Sequence, residues 1–140
     1  MRTWRERGRV PPITCMTTGK DGGIYFAASG GGQPRLYQWN PALQWGPYNP
    51  RSWELPANLF PGATRIRSLC RDPYLTSNSI YGGTGMGWYG EPGDSVEGKG
   101  KLEPAWLFRF DPPPLLGGGG QSARVGQPDC SLILSQNQPN

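Results

Sequence analysis

An all-β fold of two antiparallel sheets, with Gly/Pro-rich loops and little or no helix, is what the sequence predicts. Three observations lead there. Short runs of β-branched and aromatic residues are bounded by Gly, Asn, Asp and Pro, the pattern of strands between turns. No segment carries a sustained 3.6-residue apolar period. Compared with itself, the chain repeats.

The first copy opens at Ile13-Thr14-Cys15-Met16 and turns at Lys20-Asp21-Gly22-Gly23. It continues as Ile24-Tyr25-Phe26-Ala27-Ala28-Ser29 and, after a Gly-rich turn, as Arg35-Leu36-Tyr37-Gln38-Trp39-Asn40-Pro41. The second copy reads Ile66-Arg67-Ser68-Leu69-Cys70, then Ile80-Tyr81-Gly82-Gly83-Thr84, then Trp106-Leu107-Phe108-Arg109-Phe110-Asp111-Pro112. In the last element Leu36 matches Leu107, Tyr37 matches Phe108, Gln38 matches Arg109 and Trp39 matches Phe110. Asp21-Gly22 is a hairpin signal because Gly tolerates positive φ. Asn40-Pro41 and Asp111-Pro112 end strands, since Pro cannot donate to a ladder and Asn or Asp bonds its own backbone in a turn. Alternation puts Tyr37 and Trp39 on one face and Leu36 and Gln38 on the other.

These residues resemble the blades of bacterial β-propellers, over roughly residues 13–112. The first unit carries the blade motif through Ile13, Ile24, Tyr25, Leu36, Tyr37, Trp39, Asn40 and Pro41. The second carries it through Ile66, Ile80, Tyr81, Gly82, Thr84, Leu107, Phe108, Phe110, Asp111 and Pro112. The resemblance implies four-stranded blades, innermost strand first, and a partial propeller. It assigns the outermost strands to residues 51–55 and 131–134. The division is then a basic N-terminal tail 1–12, repeat one 13–60, repeat two 61–112 with an inserted loop 85–104, and a Pro/Gly-rich linker, strand and polar tail 113–140. Propellers close with about 4–8 blades, and repeat units bury their cores against neighbours. Two units imply a piece of a longer propeller, association of copies or other propeller subunits, or a compact sandwich of the two. The fold is silent on activity.

Composition sets further bounds. Gly 22 and Pro 16 of 140 residues fall in the range where disorder is suspected. Six Trp, six Tyr and a net charge of only +4 oppose that, so a folded, turn-rich body with disordered ends is expected. Most of the positive charge lies in Arg2, Arg5, Arg7 and Arg9, set against Glu6 alone. That stretch reads as a frayed terminus, and a nearly neutral body disfavours nucleic acid. A basic-tailed accessory role in a nucleoprotein complex is the reading that would use it. Arg65, Arg67 and Arg71 would share one strand face. No apolar run reaches the 18 residues that mark a membrane span, and nothing in the sequence indicates a compartment.

The catalytic inventory is thin. The chain has no His, which removes the commonest general base and the usual triads. Ser29 and Ser79 have no visible base. Cys15, Cys70 and Cys130 match no zinc spacing, and Cys15 and Cys70 read as small buried hydrophobes. Gly85-Met86-Gly87-Trp88-Tyr89-Gly90 matches G-x-G-x-x-G, but Glu91-Pro92-Gly93-Asp94 follows where a dinucleotide motif needs a helix. No cofactor or metal is therefore expected, and no enzyme constellation is recognisable. Residues 85–104 are the best place for ligand contacts, because loops on a rigid scaffold carry function. Trp88, Tyr89, Glu91 and Asp94 there, with Trp53, are the candidate contacts, and aromatics beside carboxylates suit a glycan. Trp45, Tyr48 and Trp53 form a second aromatic group, read as packing residues or as a sugar platform. The leading expectation is a non-catalytic structural or binding module in a self-assembly or larger complex. A carbohydrate-binding or carbohydrate-active propeller part is the alternative.

Overall fold

Each of the eight predicted strands forms where the β-branched and aromatic runs lie. The computed structural model describes residues 4–30, 33–85 and 105–115, and the backbone of 129–135. Strands β1 (Ile13–Thr18), β2 (Ile24–Ala28), β3 (Arg35–Trp39) and β4 (Arg51–Glu54) make one antiparallel sheet in that order. Strands β5 (Ile66–Arg71), β6 (Ile80–Thr84), β7 (Trp106–Asp111) and β8 (Asp129–Ser135) make the second, again in that order. Among the described residues there is no helix, so none is long and apolar enough to cross a membrane. The final strand pairs within its own chain, along β7.

The two sheets repeat each other in register as well as in sequence. Tyr25 pairs with Gln38 and Tyr81 with Arg109. Phe26 pairs with Tyr37 and Gly82 with Phe108. Each first strand carries a register shift at its start, between Ile13 and Cys15 and between Ile66 and Ser68. The second shift breaks the alternation that would have put Arg65, Arg67 and Arg71 on one face. Arg65 also precedes the strand, and all three side chains are exposed.

The sheets pack through unlike faces. Tyr25, Ala27, Leu36 and the half-buried Trp53 of the first sheet meet Ile66, Ile80, Phe108 and Phe110 of the second. The rings of Trp53 and Phe110 lie 5.2 Å apart, and β1 runs beside β5. Leu36 corresponds in the repeat to Leu107, whereas the partner it meets belongs to the Phe108 face. The arrangement is therefore head to tail, not a two-fold pairing of equivalent surfaces. The connection from β4 to β5 seals one end. Leu55, Phe60 and Ala63 are buried there, and the Phe60 ring stands 5.7 Å from that of Phe108 and 6.2 Å from that of Trp106. Burying an aromatic of this size contributes roughly 1.5–3 kcal/mol.

Candidate functional site

Three surfaces carry chemistry: a polar junction at one end of the sheet interface, and the two outward faces. The junction forms because the β1–β2 turn reaches across to the loop before β6. Gly22, at φ 88°, lets that turn close tightly. The Tyr25 hydroxyl donates to Asp21 Oδ2 at 2.6 Å. Asn78 Nδ2 donates to the same oxygen at 2.7 Å and accepts the Asp21 amide on Oδ1 at 3.1 Å. Gln38 Nε2 donates to the Tyr25 oxygen at 2.9 Å and to the Pro113 carbonyl at 2.7 Å. Arg51 donates to Gln38 Oε1 and to the Pro114 carbonyl. Burial, followed by the Asp21 contact, holds the Tyr25 hydroxyl far above its ordinary pKa of 10. Burial lowers that of the Arg51 guanidinium. Asp21, Tyr25, Gln38 and Asn78 are engaged with one another across the two sheets, and Arg51 joins them through Nη2 while its Nε and Nη1 are buried with no partner among the described residues; this is the arrangement of a structural tie.

A second carboxylate organises the loop from 72 to 79. Asp72 accepts the Tyr74 amide at 3.0 Å, the Thr76 hydroxyl at 2.7 Å and amide at 3.2 Å, and the Ser77 amide at 3.0 Å. These bonds, the Thr76 hydroxyl first, hold its pKa at about 2 against an ordinary 3.8. The loop presents Tyr74 to solvent and places Leu75 at φ 56°. Ser79 donates to Asp111 at 2.5 Å, and Ser29 donates to the Thr64 carbonyl at 2.8 Å.

The outward face of the first sheet is covered. Phe26 and Tyr37 stack on it, with ring centroids 4.8 Å apart and planes 3° off parallel. Val10 and Trp45 pack over this pair with Ile24 and Trp39. Trp45 is held there by a plug built on the buried Asn49. Its Nδ2 donates to the carbonyls of Asn40 and Gln44, both at 3.0 Å, and its Oδ1 accepts the Asn40 amide at 2.8 Å. Gly8 lies so close that an added Cβ would sit 2.1 Å from the Trp45 ring. The Ser29 amide donates to the Pro12 carbonyl at 3.2 Å, anchoring the segment before β1. Gly8 and Val10 thus lie against the first sheet, while the side chains of residues 4–9 are exposed. Composition shows the arginines, but not the glycine and valine that seat the segment.

Among the described residues, the outward face of the second sheet is partly exposed, from the half-buried Tyr81, Gly83 and Arg109 to the exposed Ser68, Cys70 and Leu107. Cys70, Tyr81 and Arg109 share one row across β5, β6 and β7, and Ser68, Gly83 and Leu107 share the next. Cys70 is exposed and Leu107 is 37% exposed. Cys70 is therefore not the buried hydrophobe expected, because its row faces away from the first sheet. Cys15 does face the interface, where burial raises its thiol pKa.

Among the sequence-predicted contacts, Trp88, Tyr89, Glu91 and Asp94 lie outside the described residues. Trp53 sits against Phe110, with the Arg51 guanidinium 5.8 Å above its ring. Trp45 packs on the opposite side of the same sheet, 6.0 Å from Trp39, and Tyr48 is exposed. The three aromatics do not form one platform. Arg65 and Arg67 border an open depression of about 600 Å³ with Ile13, Thr14 and Ser29. No cluster of three metal-ligating side chains occurs among the described residues. Comparison with known families, curated proteins and solved structures gives no match to this chain.

Proposed function

We propose that the chain is a non-catalytic binding module of propeller-blade type, whose second sheet receives a further sheet in a self-assembly or larger complex. One observation carries the reading: the open Tyr81–Gly83–Leu107–Arg109 face occupies the repeat positions of Tyr25, Ala27, Leu36 and Gln38. That equivalent face of the first sheet is sealed by a neighbouring sheet. Repeat units stack by presenting the same face to each successive neighbour, which supports reading the contact between the two sheets as one stacking step and the second sheet's outward face as the surface for the next. The occupant of that surface is a sheet with an Ile- and aromatic-rich face like that of Ile80, Phe108 and Phe110.

Cys70 provides the test, because its thiol stands on the surface in question. Its reaction with a thiol reagent is expected to slow as the protein is concentrated, while Leu107→Arg, which puts a charge in the middle of the face, keeps the reaction fast throughout. A Cys70 rate independent of concentration and identical in both proteins would contradict the reading.

A further inference from the structure

We infer that residues 4–12 are a displaceable cap on the first sheet, occupying the place of a second copy's open sheet. This rests on the stacking reading above and adds to it the partner and the gate. In register, the outward face of the first sheet matches the buried face of the second. Ile24 corresponds to Ile80, Phe26 to Gly82, Tyr37 to Phe108 and Trp39 to Phe110. It is the kind of face that fits the open one. Each chain thus carries both halves of the interface that already joins its own two sheets, and a second copy continues that interface. The resulting contact is head to tail, which builds rings or filaments rather than closed dimers.

Three observations make the cap displaceable. Residues 4–9 are exposed and only Val10 is partly buried, whereas the internal sheet–sheet contact buries Tyr25, Leu36, Ile66, Ile80, Phe108 and Phe110. Beneath the cap, Trp39 Nε1 is buried with no hydrogen-bond partner among the described residues, although a buried indole N–H ordinarily finds one. A cleft of about 280 Å³ also remains between Glu6 and Arg7 on one side and Trp39 and Trp45 on the other. A short segment that leaves a donor unpaired and a cleft unfilled covers the face without completing it. The extra apolar area a second sheet would bury favours exchange.

The test uses sedimentation velocity on four proteins: the full chain, the chain lacking residues 1–10, the full chain with Gly8→Val, and the shortened chain with Leu107→Arg. Gly8→Val lifts the segment off the Trp45 ring without deleting it, and so guards against misfolding of the shortened chain. The expected result is tighter self-association of both the shortened and the Gly8→Val chains, on the order of tenfold or more. The shortened Leu107→Arg chain stays monomeric alone but forms a one-to-one pair with the full chain, because it offers the uncapped face and the full chain offers the open one. Self-association of the full chain that is unchanged by truncation and by Gly8→Val, yet abolished by Leu107→Arg, overturns the cap and leaves the stacking reading standing. Leu107→Arg having no effect on the association of the shortened chain overturns both.

Discussion

The two outward faces of this molecule belong to sheets of the same register and have opposite fates. On the first sheet, Phe26 stacks on Tyr37, and Val10 and Trp45 lie over them. On the second, Cys70, Tyr81 and Leu107 meet solvent among the described residues. The equivalent faces, outward on the first sheet and inward on the second, differ too. Where the first sheet has Phe26 opposite Tyr37, the second has Gly82 opposite Phe108, and a Cβ at Gly82 would come within 2.4 Å of the Phe108 ring. The glycine lets that ring lie flat on its own sheet, leaving room for the neighbouring one. Duplication therefore set the hydrogen-bond ladder, and the side chains then separated an inner contact from a covered end and an open end.

The sharpest way to break this comparison uses adjacent residues on opposite faces of β7. Phe108→Ala removes a fully buried ring from the sheet–sheet contact and is expected to cost about 3–5 kcal/mol in chemical denaturation. Leu107→Arg, one position away, should stay within about 0.5 kcal/mol of the parent in the monomer. Equal costs would mean that the second sheet has no inner and outer side.

A smaller effect is expected at the junction tying the sheets together. Tyr25→Phe removes the hydroxyl that joins Asp21, Gln38 and Asn78, for a loss of about 1–2 kcal/mol in the same measurement. The pH dependence adds a second readout. The Tyr25 pKa is raised in the folded chain above its ordinary value of 10. Its contribution is complete below pH 10 and falls as the pH rises further, because only the unfolded chain then releases the proton. Denaturation profiles should show this alkaline decline reduced in Tyr25→Phe; identical slopes would remove Tyr25 from the linkage.

The smallest and most local effect is acidic. The Asp72 pKa is held at about 2 against an ordinary 3.8. The stability it lends the loop is complete above the ordinary value and is lost as the pH falls through about 2. Amide exchange at Tyr74, Thr76 and Ser77 should accelerate across that window while β2 and β3 remain protected. Asp72→Asn should show fast exchange in this loop at neutral pH. Uniform acceleration over both sheets would show that the loop and the core open together.

Much of the fold was legible because strands are local. Ile24-Tyr25, Ile80-Tyr81 and the two strand-ending Asn-Pro and Asp-Pro pairs mark element ends through chemistry that acts within a few residues. Alternation in Leu36-Tyr37-Gln38-Trp39 separated the two faces correctly, since the period-2 rule needs no tertiary information. What the sequence could not tell was which face meets which. That depends on the placement of whole sheets, and so the exposure of Cys70 and the separation of Trp45 from Trp53 were not readable. The Gly8–Trp45 contact was equally hidden, because it joins a segment without regular structure to a loop shaped by Asn49. The Asp21–Asn78 link joins turns 57 residues apart, and no spacing rule anticipates it.

The most direct trial of a head-to-tail pair with one open face is the molar mass of the full chain by light scattering as its concentration rises. A mass that climbs above the 15.3 kDa of one chain, and that returns to it with Leu107→Arg, is the expected result. A mass fixed at one chain across the range, with the substituted protein indistinguishable from the parent, would contradict it.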